Sequence, residues 1–144
     1  MRKNRLLLAL AGALMVSTAA TALAAAMNAQ QKTVYDQYVA AAKTADPAFK
    51  EFNAKQGETF FREKHTGGKP ETPVCTECHT TDLTKKGQTR AGKDIEPMAA
   101  SVNPKRYTDP ADVEKWFKRN CNDVVGRECT VTEKGNVLTY LLGL

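Results

Sequence analysis

Cys75, Cys78 and His79 stand together in the run Cys75-Thr76-Glu77-Cys78-His79. Two thiols at this spacing can add to the two vinyl groups of a haem, while the residue directly after the second thiol supplies an imidazole to the iron. Two other chemistries are open to the same residues. A zinc site needs four ligands, which Cys75, Cys78, Cys121 and Cys129 could formally supply, but thiolates are hard to keep reduced after export, which the leader described below implies. A redox dithiol needs a strand-helix-strand setting, and Pro70-Glu71-Thr72-Pro73 before the motif does not alternate like a strand. The spacing therefore predicts one covalently attached haem c, with His79 on its iron.

One histidine leaves the sixth position on iron to a side chain, water or a gas, and that choice separates electron transfer from ligand chemistry. Met98, after Pro97, would make a low-spin electron carrier, because a thioether favours ferrous iron. It could equally be core packing, the commoner place for a methionine. His65 could give a bis-histidine site, although its nearness to the attachment motif favours the surface. Asn120 shares a helical face with Val113, Trp116 and Phe117, so its carboxamide needs a partner, which is either iron or backbone at the helix end. An open or water-filled position is the fourth reading. Cys121 and Cys129 lie eight positions apart, and a disulfide is their natural pairing.

Four helices must position these groups. Val34, Tyr35, Tyr38, Val39 and Ala42 recur on one face of a first helix over about residues 33–43. Asp46-Pro47 reads as the start of a second, carrying Phe49, Phe52, Phe60 and Phe61 and stopping at Gly67-Gly68. Asp109-Pro110 opens the third. Thr130 with Glu133 forms a capping box for the fourth, whose apolar side holds Val137, Leu138, Leu141 and Leu142. Between Gly67 and Thr108 no period is sustained, and a loop of that length in one domain calls for something to wrap around. A prosthetic group would serve.

Arg2, Lys3 and Arg5 precede an apolar run from Leu6 to Val16, and Ala22-Leu23-Ala24 offers a small-residue cleavage site. Residues 1–24 read as a secretory signal peptide and residues 25–144 as one domain. The apolar run is shorter than the roughly 20 residues of a spanning helix, so membrane insertion after cleavage is not expected. Of 144 residues, 120 remain, and the formal net charge falls from +5 to +2. That balance offers no broad cationic field, which argues against nucleic-acid binding. The cluster Lys85, Lys86, Arg90 and Lys93 could pair with haem propionates, dock an acidic redox partner, or be a solvated loop, and Lys69, Lys105 and Arg106 share these alternatives.

From about Asn53 to Leu144 the chain resembles the SHP family, oxygen-binding relatives of class I cytochromes c. The resemblance is carried by Thr66-Gly67-Gly68-Lys69-Pro70-Glu71-Thr72-Pro73 before the haem motif, and by Gly87-Gln88-Thr89-Arg90 after it. It continues through Val113-Glu114-Lys115-Trp116, Arg119-Asn120-Cys121-Asn122, Gly126-Arg127-Glu128-Cys129-Thr130 and Glu133-Lys134. It implies an all-α class I cytochrome c fold of about four helices around one covalent haem. It also implies Asn120 as the distal ligand of ferric iron, in preference to Met98, and a Cys121–Cys129 disulfide. Gly57 and Phe61 resemble the N-terminal helix of class I cytochromes c, where a small residue lets that helix cross the last one closely, near Tyr140 here.

The function so implied is a periplasmic cytochrome whose Asn120 is released on reduction, so that ferrous haem takes O2, NO or CO. Its implied partners are a dihaem cytochrome c and a membrane cytochrome b. Turnover, such as nitric oxide dioxygenase or peroxidase-like activity, would need no further residue, because haem does the chemistry. A simple His/Met electron carrier is the alternative.

Overall fold

The computed structural model of the chain describes residues 27–144; the proposed signal peptide, residues 1–24, lies outside them. The elements in chain order are α1 (Ala29–Ala45), α2 (Ala54–Arg62), the single turn α3 (Thr76–His79), a two-residue antiparallel hairpin of β1 (Gly87–Gln88) and β2 (Asp94–Ile95), α4 (Pro110–Val124) and α5 (Val131–Leu142). The result is an all-α architecture with one small hairpin.

Helix starts follow side-chain chemistry at the backbone. Asp109 accepts from the Asp112 N–H ahead of Pro110, and Thr130 and Glu133 form the reciprocal capping box of α5. The start of the second helix differs from expectation. Asp46 is instead the C-cap of α1, its N–H donating to Ala42 O at 2.8 Å while its carboxylate accepts from Ala48 N at 2.9 Å. The helix begins seven residues on, where Asn53 accepts from Gln56 N at 3.0 Å and donates its own N–H to the Asn136 side chain at 2.7 Å. A cap that also ties two helices together outcompetes one that bonds only locally. Phe49 and Phe52 pack across the intervening turn with ring centroids 4.8 Å apart.

The hydrophobic interior divides into two patches joined by α5. Val34, Tyr38 and Ala42 of α1 pack with Phe52, Val113, Leu138 and Leu142. Phe61, Leu83, Met98, Val137, Tyr140 and Leu141 form the second. Between α1, α4 and α5 runs a polar tie: Tyr38 donates to Glu114 at 2.8 Å, and the buried Lys134 ammonium pairs with the same carboxylate. Burial and this hydrogen bond push the Tyr38 hydroxyl pKa up, so it remains a donor.

The crossing of α2 and α5 is the close contact that orients the second patch. A Cβ placed on Gly57 would stand 2.0 Å from the Asn136 carbonyl oxygen and 2.8 Å from Val137 N, so only glycine fits there. The crossing lies one turn before Tyr140, whose hydroxyl instead accepts from Arg62 Nη2 at 2.7 Å.

Candidate haem site

The attachment motif is one helical turn. His79 N–H donates to Cys75 O at 3.2 Å and Thr80 N–H to Thr76 O at 3.0 Å, which brings the two thiols and the imidazole onto consecutive corners of a single coil. Thr80 ends the turn in the left-handed region, at φ 63°, and its hydroxyl donates to Asp82 O at 2.8 Å. The β1 strand lies directly against this turn: a Cβ on Gly87 would meet Cys78 O at 2.0 Å.

The chemistry of this turn fits a covalent haem. Cys75 and Cys78 are both free thiols, and burial pushes the Cys75 pKa up to about 12, so its sulfur sits neutral in apolar surroundings, as a thioether would. Among the described residues, His79 Nδ1 is the one buried side-chain polar atom without a hydrogen-bond partner. Burial, with the positive charge of Arg106, lowers the His79 pKa to about 4, so the ring is neutral at pH 7 and can act as a ligand. Its face packs on Phe61, with ring centroids 5.9 Å apart. The zinc reading does not survive, because Cys121 and Cys129 are bonded to each other. Among the described residues no cluster of three or more His, Cys, Asp or Glu could hold a metal ion.

Asn120 lies in the last turns of α4, half-buried beside the buried Cys121. The face of α4 turned to the interior is Val113, Phe117, Cys121 and Val124, with Phe117 edge-on to Tyr38 at 6.0 Å. Trp116 departs from the face expected of it. It is 45% exposed, with the Lys115 ammonium 5.3 Å and the Arg119 guanidinium 5.0 Å from its ring. Positions four apart set the buried stripe here, so position 116 turns toward the flank. Asn122 is engaged locally, its amide donating to Lys118 O at 2.6 Å; no such bond ties the Asn120 carboxamide to another described residue.

The end of α4 is anchored twice. The Cys121–Cys129 disulfide, with α carbons 5.7 Å apart, ties it to the start of α5. The loop leading to the haem motif then presses backbone to backbone against it. Gly126, at φ 76°, takes the left-handed conformation after the helix, and a Cβ there would strike Gly67 O at 1.8 Å. Lys69 N–H donates to Asp123 O at 2.7 Å, and the Lys69 ammonium pairs with the Asp123 carboxylate at 2.7 Å. The glycines and lysine of Thr66-Gly67-Gly68-Lys69 thus join the two sequence regions that carry Cys75 and Asn120. Replacing both Cys121 and Cys129 with serine is expected to lower unfolding stability by about 2 to 3 kcal/mol, from loop-closure entropy in the unfolded chain. Denaturant titration of the oxidised wild type against the double variant measures it, and equal midpoints would contradict it.

The other candidate ligands are engaged elsewhere. Met98, 8% exposed, packs in the patch with Phe61 and Leu83, and its backbone bonds Leu83 O and the Tyr107 hydroxyl. His65 is half-buried rather than on the surface, with Nε2 donating to Phe60 O at 2.9 Å. Two of the four cations of the basic loop are neutralised: Lys86 pairs with Asp94 and Glu96 at 3.4 and 3.0 Å, and Arg90 with Glu71 at 2.8 Å.

Comparison with known proteins gives the family and its cofactor. Residues 47–141 match the family model described as a domain of unknown function, DUF1924. Over 89 residues the chain is 54% identical to the cytochrome c-type protein SHP of Cereibacter sphaeroides, covering 62% of this chain and 69% of that protein. It is 38% identical over 124 residues to cytochrome c'' of Methylophilus methylotrophus, covering 85% of each. The structure of oxidized SHP, an oxygen-binding cytochrome c, superposes with a TM-score of 0.70 at 47% identity, over 77% of this chain and 94% of SHP. The solution structure of cytochrome c'', determined for insight into haem-ligand detachment, gives a TM-score of 0.65 at 34% identity, over 78% of this chain and 91% of that one. The chain belongs to the DUF1924 family of SHP-like cytochromes and, like SHP and cytochrome c'', is a helical haem c protein.

Proposed function

We propose that this chain is an exported, periplasmic monohaem cytochrome in which Asn120 closes the sixth position of the ferric iron and withdraws on reduction, leaving the ferrous protein open to O2, NO or CO. The haem, held at Cys75 and Cys78, supplies the one-electron couple and the coordination site. The chain supplies the switch. A neutral carboxamide oxygen is a hard donor that suits ferric iron and holds ferrous iron poorly. Asn120 carries no competing hydrogen bond among the described residues, whereas Met98 and His65 are held in packing and in a backbone bond. That contrast is the observation that supports Asn120 best.

The anchored backbone gives the switch its form. With Cys121 bridged to Cys129 and Asp123 bound by Lys69, rotation about the side-chain bonds of Asn120 is what would open the site. Oxygen binding in SHP and the haem-ligand detachment studied in cytochrome c'' support a releasable ligand here. The redox partners proposed are a dihaem cytochrome c and a membrane cytochrome b. Among the described residues no helix is long and apolar enough to cross a membrane.

Visible spectra of the dithionite-reduced protein, with and without carbon monoxide, test the reading. Rapid formation of a carbon monoxide spectrum is expected. A ferrous spectrum indifferent to carbon monoxide, with a ferric sulfur-to-iron charge-transfer band, would assign Met98 and a simple electron carrier.

A further inference from the structure

The loop before α4 carries a charge that the protein itself does not balance. Arg106 is half-buried, with Nε donating to Pro97 O and Nη2 to Glu96 O, both at 2.7 Å. The Glu96 carboxylate pairs with Lys86 instead, and no described carboxylate forms an ion pair with Arg106. The two backbone bonds fix the plane of the guanidinium and leave its Nη1 edge free to donate.

The turn that carries Arg106 is unusually constrained. Tyr107, which follows it, sits at φ 61°, a conformation costly for a bulky residue. Three contacts hold it there. Tyr107 donates its hydroxyl to Met98 O at 2.7 Å, and the Gln31 amide of α1, 2% exposed, donates to Arg106 O at 3.1 Å and to Pro104 O at 3.3 Å. Met98 in turn packs beside Phe61, the ring that touches His79. A rigid cation therefore borders the site with a free donor edge.

A half-buried guanidinium with no anion of its own calls for one from a ligand, and a planar carboxylate matches its fork. Haem c brings two propionates. We propose that Arg106 is the anchor for a haem propionate, held in place by the strained Tyr107 turn and by Gln31, and that its fixed charge raises the midpoint potential of the iron. This rests on haem attachment at Cys75 and Cys78 and is independent of the role of Asn120.

Spectroelectrochemical titration of the holoprotein, with the propionate bending band in its resonance Raman spectrum, tests the proposal. In Arg106→Gln the lost positive charge favours ferric iron, so the one-electron equilibrium should move about tenfold toward the oxidised form, about 59 mV lower in potential, and the propionate band should shift. Arg106→Lys, which keeps the charge without the fork, should recover most of the potential but not the wild-type band. Lys105→Gln, one residue away and exposed, should leave both unchanged.

A wild-type potential in Arg106→Gln, with haem shown to be covalently retained by its pyridine haemochrome, would overturn the proposal. So would a potential in Arg106→Lys as low as that in Arg106→Gln. If Arg106→Gln does not fold, Arg106→Lys decides alone: a shifted propionate band at near-wild-type potential supports the anchor, and an unshifted band refutes it. Wild-type protein lacking covalent haem would instead overturn the haem assignment itself.

Discussion

Asn120→Ala should leave the haem attached while changing the ferric spectrum, because Cys75 and Cys78 stand at the start of and within α3, and the lost carboxamide on α4. Without an internal ligand, ferric iron should accept added imidazole or cyanide far more readily. An internal ligand that leaves about one site in a hundred open weakens an external ligand about 100-fold. A gain of that order in ferric affinity is therefore expected on substitution. Carbon monoxide binding to the reduced form should change little, since the proposed switch already has Asn120 off the iron in that state. Asn120→His, which offers a donor that holds both oxidation states, should suppress carbon monoxide binding instead. Ferric spectra of Asn120→Ala and wild type that superimpose would remove the carboxamide from the iron and return the choice to Met98, His65 or water.

Gly57→Ala should destabilise the fold by about 3 kcal/mol or more, at the upper end of overpacking costs. The reason is that the added methyl meets backbone and not a movable side chain: Asn136 O at 2.0 Å and Val137 N at 2.8 Å. Relief requires α2 to back away from α5. Phe61 and Arg62 lie one turn further along α2, so the retreat would disturb the ring against His79 and the bonds to Tyr140 and Thr81. The variant should thus show both a lower unfolding midpoint and an altered haem absorption band. Thermal melts followed by far-ultraviolet circular dichroism and at the haem band should fall together. An unchanged midpoint would mean that the crossing is looser than this geometry describes.

Helix ends and the attachment motif were legible in the chain because their chemistry is local. Asp109-Pro110 and the Thr130 and Glu133 box act over a few residues and cap the helices their spacing implies, and the Cys75-to-His79 run folds as one local turn. The pairing of Cys121 with Cys129 was legible for the same reason, since they stand eight positions apart and no other pair is left over once the haem motif is set aside. Asp46-Pro47 misled, since a capping residue before proline also suits a turn, and the decisive bond came from Asn136, 83 positions from Asn53. Trp116 misled because a period read from one helix does not say which neighbour occupies which side.

What the amino-acid order determined alone was the kind of chemistry available: two thiols and an imidazole within five residues, a cysteine pair free to bridge, and a polar residue near the end of an amphipathic helix. Tertiary structure decided which polar groups remain free for that chemistry. It placed Met98 in the interior beside Phe61 and bound His65 to Phe60 O. It neutralised Lys86 and Arg90 while leaving Arg106 without an anion of its own among the described residues, on a turn held by a residue 75 positions away. Whether a side chain is free depends on partners brought together by packing, and those partners are distant in the chain.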